Sequence, residues 1–271
     1  MFDAIINGRI DLGDFDIEVD YLDIEQLNAA ALERRYDITK CSTALLPAIA
    51  ASYRLLDSGS ALGRGNGPLL VRRRGESSAL GHIAVPGEHT TANALVRRLF
   101  PEIEHRTPRL FSEIAEAVEH GEYDGGVLIH EGRFVYHRRN LELVADLGLE
   151  WEARVGLPLP LGSIVAARDL GEGCKADFEA LLGRSIDYAF EHREASRDYI
   201  KEHAQELDDS VIDSHIALFV NDFSLSLGDE GRRAVEALCG IPPEVYNYFA
   251  IIVVVCELFY NFAQLFVIKI R

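Results

Sequence analysis

Three short polar segments carry side chains that could do chemistry near neutral pH: Lys40-Cys41-Ser42, Thr90-Thr91 and Ile129-His130-Glu131. A lysine supplies a cation, and hydroxyls supply donors and acceptors. A neutral imidazole can take up a proton. Each segment follows a run that reads as a buried strand: Tyr36-Asp37-Ile38-Thr39, Ile83-Ala84-Val85-Pro86 and Val127-Leu128-Ile129. The first two segments also lead into helix-like sequence. In an open α/β sheet, ligands bind outside the carboxyl ends of the strands. The pattern therefore places Lys40, the hydroxyls of Ser42, Thr90 and Thr91, and His130 around one cleft.

His130 is the strongest single candidate, as a general base. A partly buried histidine bonded to backbone would show the same pattern. Glu131 reads more readily as a solvated loop residue than as a partner that orients the ring. Thr90 and Thr91 open a helix, where hydroxyls and free backbone N–H groups suit a carboxylate or a hydroxyl-rich ligand. Ordinary capping accounts for one of the two. Lys40 to Ser42 could supply a cation and a hydroxyl at a strand end, although a lysine in that place is more often a surface charge. Gly59, Gly63, Gly65 and Gly67 do not form a dinucleotide-binding fingerprint, because no βαβ unit with the right acidic residue follows. They suit a turn or hinge.

The elements that must position these groups alternate strand and helix, which favours a mostly parallel sheet with helices on its faces. Asp16 to Tyr21 alternates at period two. Asp23, three residues before Gln26, suggests a capping box opening a helix through Arg35. An apolar helix is expected from Ala44 to Tyr53, and a strand at Leu69-Leu70-Val71. Thr90 or Thr91 caps a helix whose apolar face is Leu95, Val96, Leu99 and Phe100. Ser112 caps the next, which Gly121 stops. From about residue 177 the pattern is helical, with an apolar face at Phe178, Leu181, Leu182 and Ile186. Further helices are expected from Asp209 through Phe219 and from Asp229 to a stop at Gly240. Two Pro/Gly-marked crossings, 58–68 and 157–162, set off a middle segment. The expected organisation is one lobe from 1–70 and 163–245, a second lobe from 71–162, an intervening cleft, and an atypical tail from 246–271.

Bulk properties narrow the function. The chain has 271 residues, 48% hydrophobic and 26% charged, as in a soluble globular protein. A net charge of −17 argues against a nucleic-acid partner, which calls for clustered Lys and Arg. Arg72-Arg73-Arg74 is the one tight basic run, and it reads as a solvated loop. Cys41, Cys174, Cys239 and Cys256 are too scattered for a metal or redox pair, and the histidines lack HExxH spacing. A reducing, cytoplasmic setting fits, and the N-terminal residues carry no secretion-signal pattern. Tyr248 to Ile270 is almost wholly apolar. Three readings stand for it: a buried terminal element, a non-native tail, or a membrane anchor in which Glu257 would need a partner.

Several long segments also carry a resemblance. YDITKCS, SGSALGRGNGPLLV, PGEHTTANALVRRLFPE, VLIHEGRF, GLPLPLGSIVA and LFVNDFSLSLGDEGRRAVE occur in the order found in 1,4-dihydroxy-6-naphthoate synthases of the futalosine route to menaquinone. The chain resembles that family from about residue 2 to 238. The resemblance implies the two-lobed α/β fold of type II periplasmic binding proteins, with the ligand cleft between lobes. It implies a lyase that fragments cyclic dehypoxanthinylfutalosine to 1,4-dihydroxy-6-naphthoate, with a small-molecule substrate and no metal or organic cofactor. By the same resemblance His130 is the proton acceptor, and Lys40, Cys41, Ser42, Thr90 and Thr91 contact substrate. Members usually begin with a further strand and a Ser-Pro-Cys-Pro-Asn-Asp-type loop before the Phe-Asp-Ala segment. Here Met1-Phe2-Asp3 comes first, so a strand of the first lobe's sheet is expected to be missing. The tail after Gly240 is also unlike the family. The rival reading is a solute-binding protein of the same fold that captures a small carboxylate without chemistry.

Overall fold

The computed structural model describes residues 1–130, 132–197, 199, 213, 216, 220–240 and 267–270. The chain opens with α1 (Asp3–Ile6), β1 (Ile17–Asp20), α2 (Ile24–Leu32) and β2 (Ile38–Ser42). A 3-10 turn at Thr43–Leu45 runs into α3 (Leu46–Ile49), then β3 (Tyr53–Leu55) and β4 (Ala61–Gly63). Next come β5 (Leu69–Arg73), β6 (His82–Val85), α4 (Thr91–Leu99), β7 (His105–Pro108) and α5 (Phe111–Glu119). They lead to β8 (Gly125–Leu128), α6 (Gly132–Val135), β9 (Leu141–Asp146) and α7 (Leu147–Val155). The chain returns through β10 (Leu159–Ala167) to α8 (Glu172–Glu191), α9 (Asp222–Leu225), α10 (Gly228–Cys239) and β11 (Val267–Ile270).

The strands form two sheets. One has the order β1-β11-β2-β10-β3, with β4 also on β10; the other has the order β7-β6-β8-β5-β9. The second sheet draws only on chain lying between the two Pro/Gly-marked crossings. A mostly parallel arrangement holds for β6, β7 and β8. Elsewhere pairing is antiparallel: β10 against β2, β3 and β4, and β5 against β8 and β9. Connectivity explains the difference. A strand returning from the other half of the molecule enters its sheet from the opposite end.

Period-two burial assigns each sheet two apolar faces. Along β10, Ile164 and Ala166 pack with Phe178, Leu181, Leu182 and Ile186 of α8. Val165 and Ala167 pack instead with Leu45, Leu46, Tyr53, Ala234 and Val235. In the second sheet Leu70, Ile83 and Val85 meet the apolar face of α4 and Trp151 of α7. Leu69, Val71 and Ala84 meet Ile114 and Val118 of α5. The central strands are thus buried on both faces, which is why β5, β8 and β10 read as short continuous apolar runs, whereas the edge strands β1, β7 and β9 keep exposed positions.

Several expected boundaries move, each for a local reason. The capping box at the start of α2 is present, with the Asp23 N–H donating to Gln26 Oε1 at 3.1 Å. The helix stops before Arg35 because Arg34 takes a left-handed φ of +55°. That conformation lets Arg35 N–H reach Ala30 O and Arg34 N–H reach Ala31 O, closing the last turn. Lys40, Cys41 and Ser42 are the last residues of β2 itself rather than a loop beyond it. The expected helix from Ala44 to Tyr53 shrinks to one short turn of 3-10 followed by α3, and Tyr53 opens β3, where its hydroxyl donates to Tyr36 O at 2.6 Å. The glycine-rich segment is more than a turn, since Ala61–Gly63 forms β4 against β10. Leu110, not Ser112, precedes α5, whereas Gly121 stops it in the left-handed conformation as expected. Gly240 likewise ends α10.

Most of the apolar stretch from Tyr248 lies outside the described residues, as does most of the helix expected from Asp209 to Phe219. Val267–Ile270 is described as β11, which lies between β1 and β2 and runs antiparallel to both. Among the described residues no helix is long and apolar enough to cross a membrane.

Candidate active site

A cavity of about 140 Å³ opens between the two sheets. Its wall takes Lys40 and Ser42 from β2, Thr90, Thr91 and Ala92 from the start of α4, and His130 and Arg133 from the segment after β8. Gly67-Pro68 and Leu161-Gly162, one pair from each crossing, complete it together with Ile24, Ala61 and Ile129. Lys40, Ser42, Thr90, Thr91 and His130, picked out by type and position, therefore meet in one place.

Cys41 does not join them. Side chains alternate along a strand, so Lys40 and Ser42 face the cavity and Cys41 faces the opposite way. Cys41 is wholly buried in the core with Leu45, Leu46 and Tyr53. Burial pushes its thiol well above the ordinary range, which leaves it protonated and inert. Its backbone pairs with Ser163 of β10, so it holds the strand end in place beneath the cavity.

Burial draws the ammonium of Lys40 down to about 8, against a smaller opposing pull from Cys41. Neither a carboxylate nor any other acceptor among the described residues forms an ion pair or hydrogen bond with it. A lysine held this way is charged at neutral pH and lacks a counter-ion, so it favours an anionic ligand. Ser42 is fixed from behind. Its N–H donates to Asn28 Oδ1 at 2.8 Å, and its hydroxyl accepts from Asn28 Nδ2 at 3.0 Å. The hydroxyl proton is left to point at the cavity.

The two threonines serve the fold through their hydroxyls. Thr90 caps α4, accepting from Asn93 N–H at 3.2 Å and donating to Gly87 O at 2.9 Å. Thr91 donates to Leu161 O at 2.9 Å and accepts from Ala44 N–H at 3.2 Å, tying α4 to β10 and to the turn after β2. What α4 offers a ligand is its first two backbone N–H groups, on Thr91 and Ala92, which have no partner among the described residues. With the helix dipole behind them they suit a carboxylate or a developing oxyanion.

His130 sits two residues past β8 in a turn closed by Gly132 N–H to Ile129 O at 3.1 Å. Its φ is +52°, a left-handed conformation uncommon for residues other than glycine. Phe111, at the start of α5, packs edge-on against the imidazole with centroids 5.2 Å apart. The strained turn and the aromatic buttress together hold the ring at the cavity.

Arg133 and Asn28 were not picked out from the sequence. Arg133 donates to Gly67 O and pairs with Asp146 at 3.0 Å, with the two side chains only 13% and 8% exposed. It thereby anchors the outgoing crossing to the N-terminus of α7, whose cap is Asp146. At that junction the backbones touch: a Cβ on Gly67 would lie 2.5 Å from Gly148 N, so glycine is required at both positions. A sequence signal existed for Asn28, a polar residue on the inward face of α2 between Leu27 and Ala31. Among the described residues no cluster of three or more His, Cys, Asp or Glu side chains is placed to hold a metal ion.

The site combines an imidazole, an ammonium with no acidic partner among the described residues, two helix amides and a hydroxyl around an otherwise apolar cavity. It can bind an aromatic carboxylate and move one proton. Comparison with known proteins identifies the family. The family model described as "Menaquinone biosynthesis" matches residues 1–242. A protein of Thermus thermophilus named 1,4-dihydroxy-6-naphthoate synthase is 45% identical over 242 residues, covering 88% of this chain and 87% of that protein. One of the same name from Streptomyces coelicolor is 39% identical over 244 residues, covering 88% and 86%. A crystal structure from Archaeoglobus fulgidus superposes with a TM-score of 0.78 at 32% identity, covering 88% and 89% of the two chains. The periplasmic aliphatic sulphonate binding protein SsuA of Escherichia coli superposes at 0.57 with 11% identity over 88% and 83%, which shows the two-lobed periplasmic-binding-protein fold alone. Matched in sequence and in fold across nearly nine-tenths of its length, the chain belongs to the menaquinone biosynthesis family.

Proposed function

We propose that the chain is a 1,4-dihydroxy-6-naphthoate synthase: a lyase that fragments cyclic dehypoxanthinylfutalosine, with His130 as the general base. The observation that carries this reading is the convergence of His130, Lys40, Ser42 and the start of α4 on one cavity. His130 takes a proton from the substrate, and aromatisation of the product supplies the driving force. General-base help of this kind is typically worth ~10²–10⁴-fold. The remainder comes from holding the substrate in a reactive shape away from water. Lys40 and the Thr91 and Ala92 amides receive the naphthoate carboxylate or an equivalent anion, and Ser42 donates a hydrogen bond. Thr90 contributes by capping α4, and Cys41 by packing behind the strand end that carries Lys40 and Ser42.

The lobe of 71–162 closes on the lobe of 1–70 and 163–245 by bending at the two crossings. The enzyme works in the cytoplasm with a small-molecule substrate and without a cofactor. The likeness to a sulphonate-binding protein supports a second reading, capture of a small anion without chemistry. Incubating the purified protein with the cyclic precursor and following the naphthoate chromophore separates the two. Turnover supports the lyase; stoichiometric binding without product overturns it.

A further inference from the structure

Glu25, in the first turn of α2, is wholly buried, although the rest of that helix face is apolar apart from Asn28. It does not line the cavity. Its two carboxylate oxygens lie 3.0 and 3.3 Å from the N–H of His89, in the loop that joins β6 to α4. On the other side Oε2 accepts from Asn28 Nδ2 at 3.0 Å. Asn28 is the residue that holds Ser42, through both its N–H and its hydroxyl. A continuous hydrogen-bonded path, buried from Glu25 to Ser42, therefore runs from the loop that carries Thr90, in one half of the molecule, to the strand end that carries Ser42, in the other.

The approach is as close as the backbone allows. Gly87 has φ +155°, and a Cβ there would lie 2.6 Å from the Glu25 carboxylate. Thr90 and Asn93 brace the same loop by bonding Gly87 O and Glu88 O at 2.9 and 2.8 Å. Around the path, Ile24 and Leu27 of α2 pack against Phe111 and Ile129 from the opposite half. Burying a carboxylate where an apolar side chain would fit is a poor way to gain stability. It is a good way to fix one relative position of two bodies, because the bonds form only when both are in register.

We infer that Glu25 is a positioning residue: it latches the closed cleft, setting Ser42 and the N-terminus of α4 in the register in which His130 acts. This role rests on the proposed lyase reaction, but the latch itself can be tested apart from it. The test compares wild type, Glu25→Ala and the isosteric Glu25→Gln by small-angle scattering without ligand and by steady-state kinetics with the cyclic precursor. Thermal unfolding first confirms that each variant folds. Should Glu25→Ala fail to fold, Glu25→Gln decides the matter alone. It keeps one acceptor for His89 but sets an amide against Asn28, so it opens the cleft partially.

The latch predicts a larger radius of gyration for Glu25→Ala than for wild type, and a smaller increase for Glu25→Gln. It predicts a kcat/KM lower by ~10–100-fold in Glu25→Ala, the loss typical of a charged hydrogen bond, with partial rescue by Glu25→Gln. The apparent pKa in the kcat profile stays that of wild type, because the base itself is untouched. Unchanged radii overturn the latch whatever the kinetics show. A shifted pKa overturns it in favour of direct participation in proton transfer. Wild type that makes no naphthoate defeats the lyase reading, and the ligand-free radii then decide the latch on their own.

Discussion

Replacing Lys40 by methionine should lower activity and raise stability together. The ammonium is drawn down to about 8 by burial, and no acceptor among the described residues pairs with it. About ten sites in eleven are therefore charged at pH 7, and about one in eleven at pH 9. If the cation holds the substrate's anionic group, KM rises about tenfold between those two pH values. A hydrogen bond to a charged group is worth ~1.5–3 kcal/mol, so Lys40→Met should raise KM ~10–150-fold at pH 7 and flatten its pH dependence. The sign for stability is opposite. The folded-state pKa lies below the unfolded lysine value, so the unfolded chain binds the proton more tightly between about pH 8 and 10.5. The group destabilises the fold below pH 8, and that penalty fades as pH rises through the window. Lys40→Met removes it, and the melting temperature at pH 7 should increase. Calorimetric titration with the naphthoate product, in two buffers of different ionisation enthalpy, should show proton uptake near pH 8 that is absent in the variant. A variant with wild-type KM, an unaltered pH profile and no proton uptake would refute the assignment of Lys40 to ligand charge.

Thr91→Val removes two backbone contacts that tie α4 to the rest of the cleft. It should cost about 1–3 kcal/mol in denaturant unfolding and raise KM, with Thr91→Ser restoring most of both. Cys41→Ala should leave KM within about twofold of wild type while lowering stability by about 1–2 kcal/mol, since the thiol packs in the core. The Cys41 thiol of the native protein should also resist alkylation until the chain unfolds.

The parts of the fold legible in the sequence were those in which local and tertiary preferences coincide. The capping box at Asp23, the α4 stripe of Leu95, Val96 and Leu99, and the glycine stops at 121 and 240 each specify one local conformation. Elements set by long-range pairing were hidden. Tyr53 becomes a strand residue only because β10 returns from the other half of the molecule to lie beside it. The same pairing turns Ala61–Gly63 into a strand. In the site, strand position was enough to bring His130 and Lys40 toward one cleft. It does not show that Cys41 faces away, because the apolar run ends at Thr39 whereas β2 extends to Ser42, and only alternation along that longer strand turns Cys41 into the core. The contribution of Thr90 and Thr91 was visible as a helix start, but which of their atoms serve a ligand depends on Leu161 and Ala44, residues distant in sequence. Glu25 and Asn28 gave a quieter signal, polar side chains at i and i+3 on an apolar helix face, whose meaning needed the facing loop.

The most direct test of the central claim is His130→Asn. Asparagine tolerates the left-handed backbone at this position and retains hydrogen-bonding capacity, but it cannot act as a base near pH 7. Titration with the naphthoate product and single-turnover kinetics with the cyclic precursor, run on the same preparation, separate binding from chemistry. The account predicts product binding close to wild type and turnover reduced by at least ~10²-fold. Turnover at the wild-type rate would contradict it.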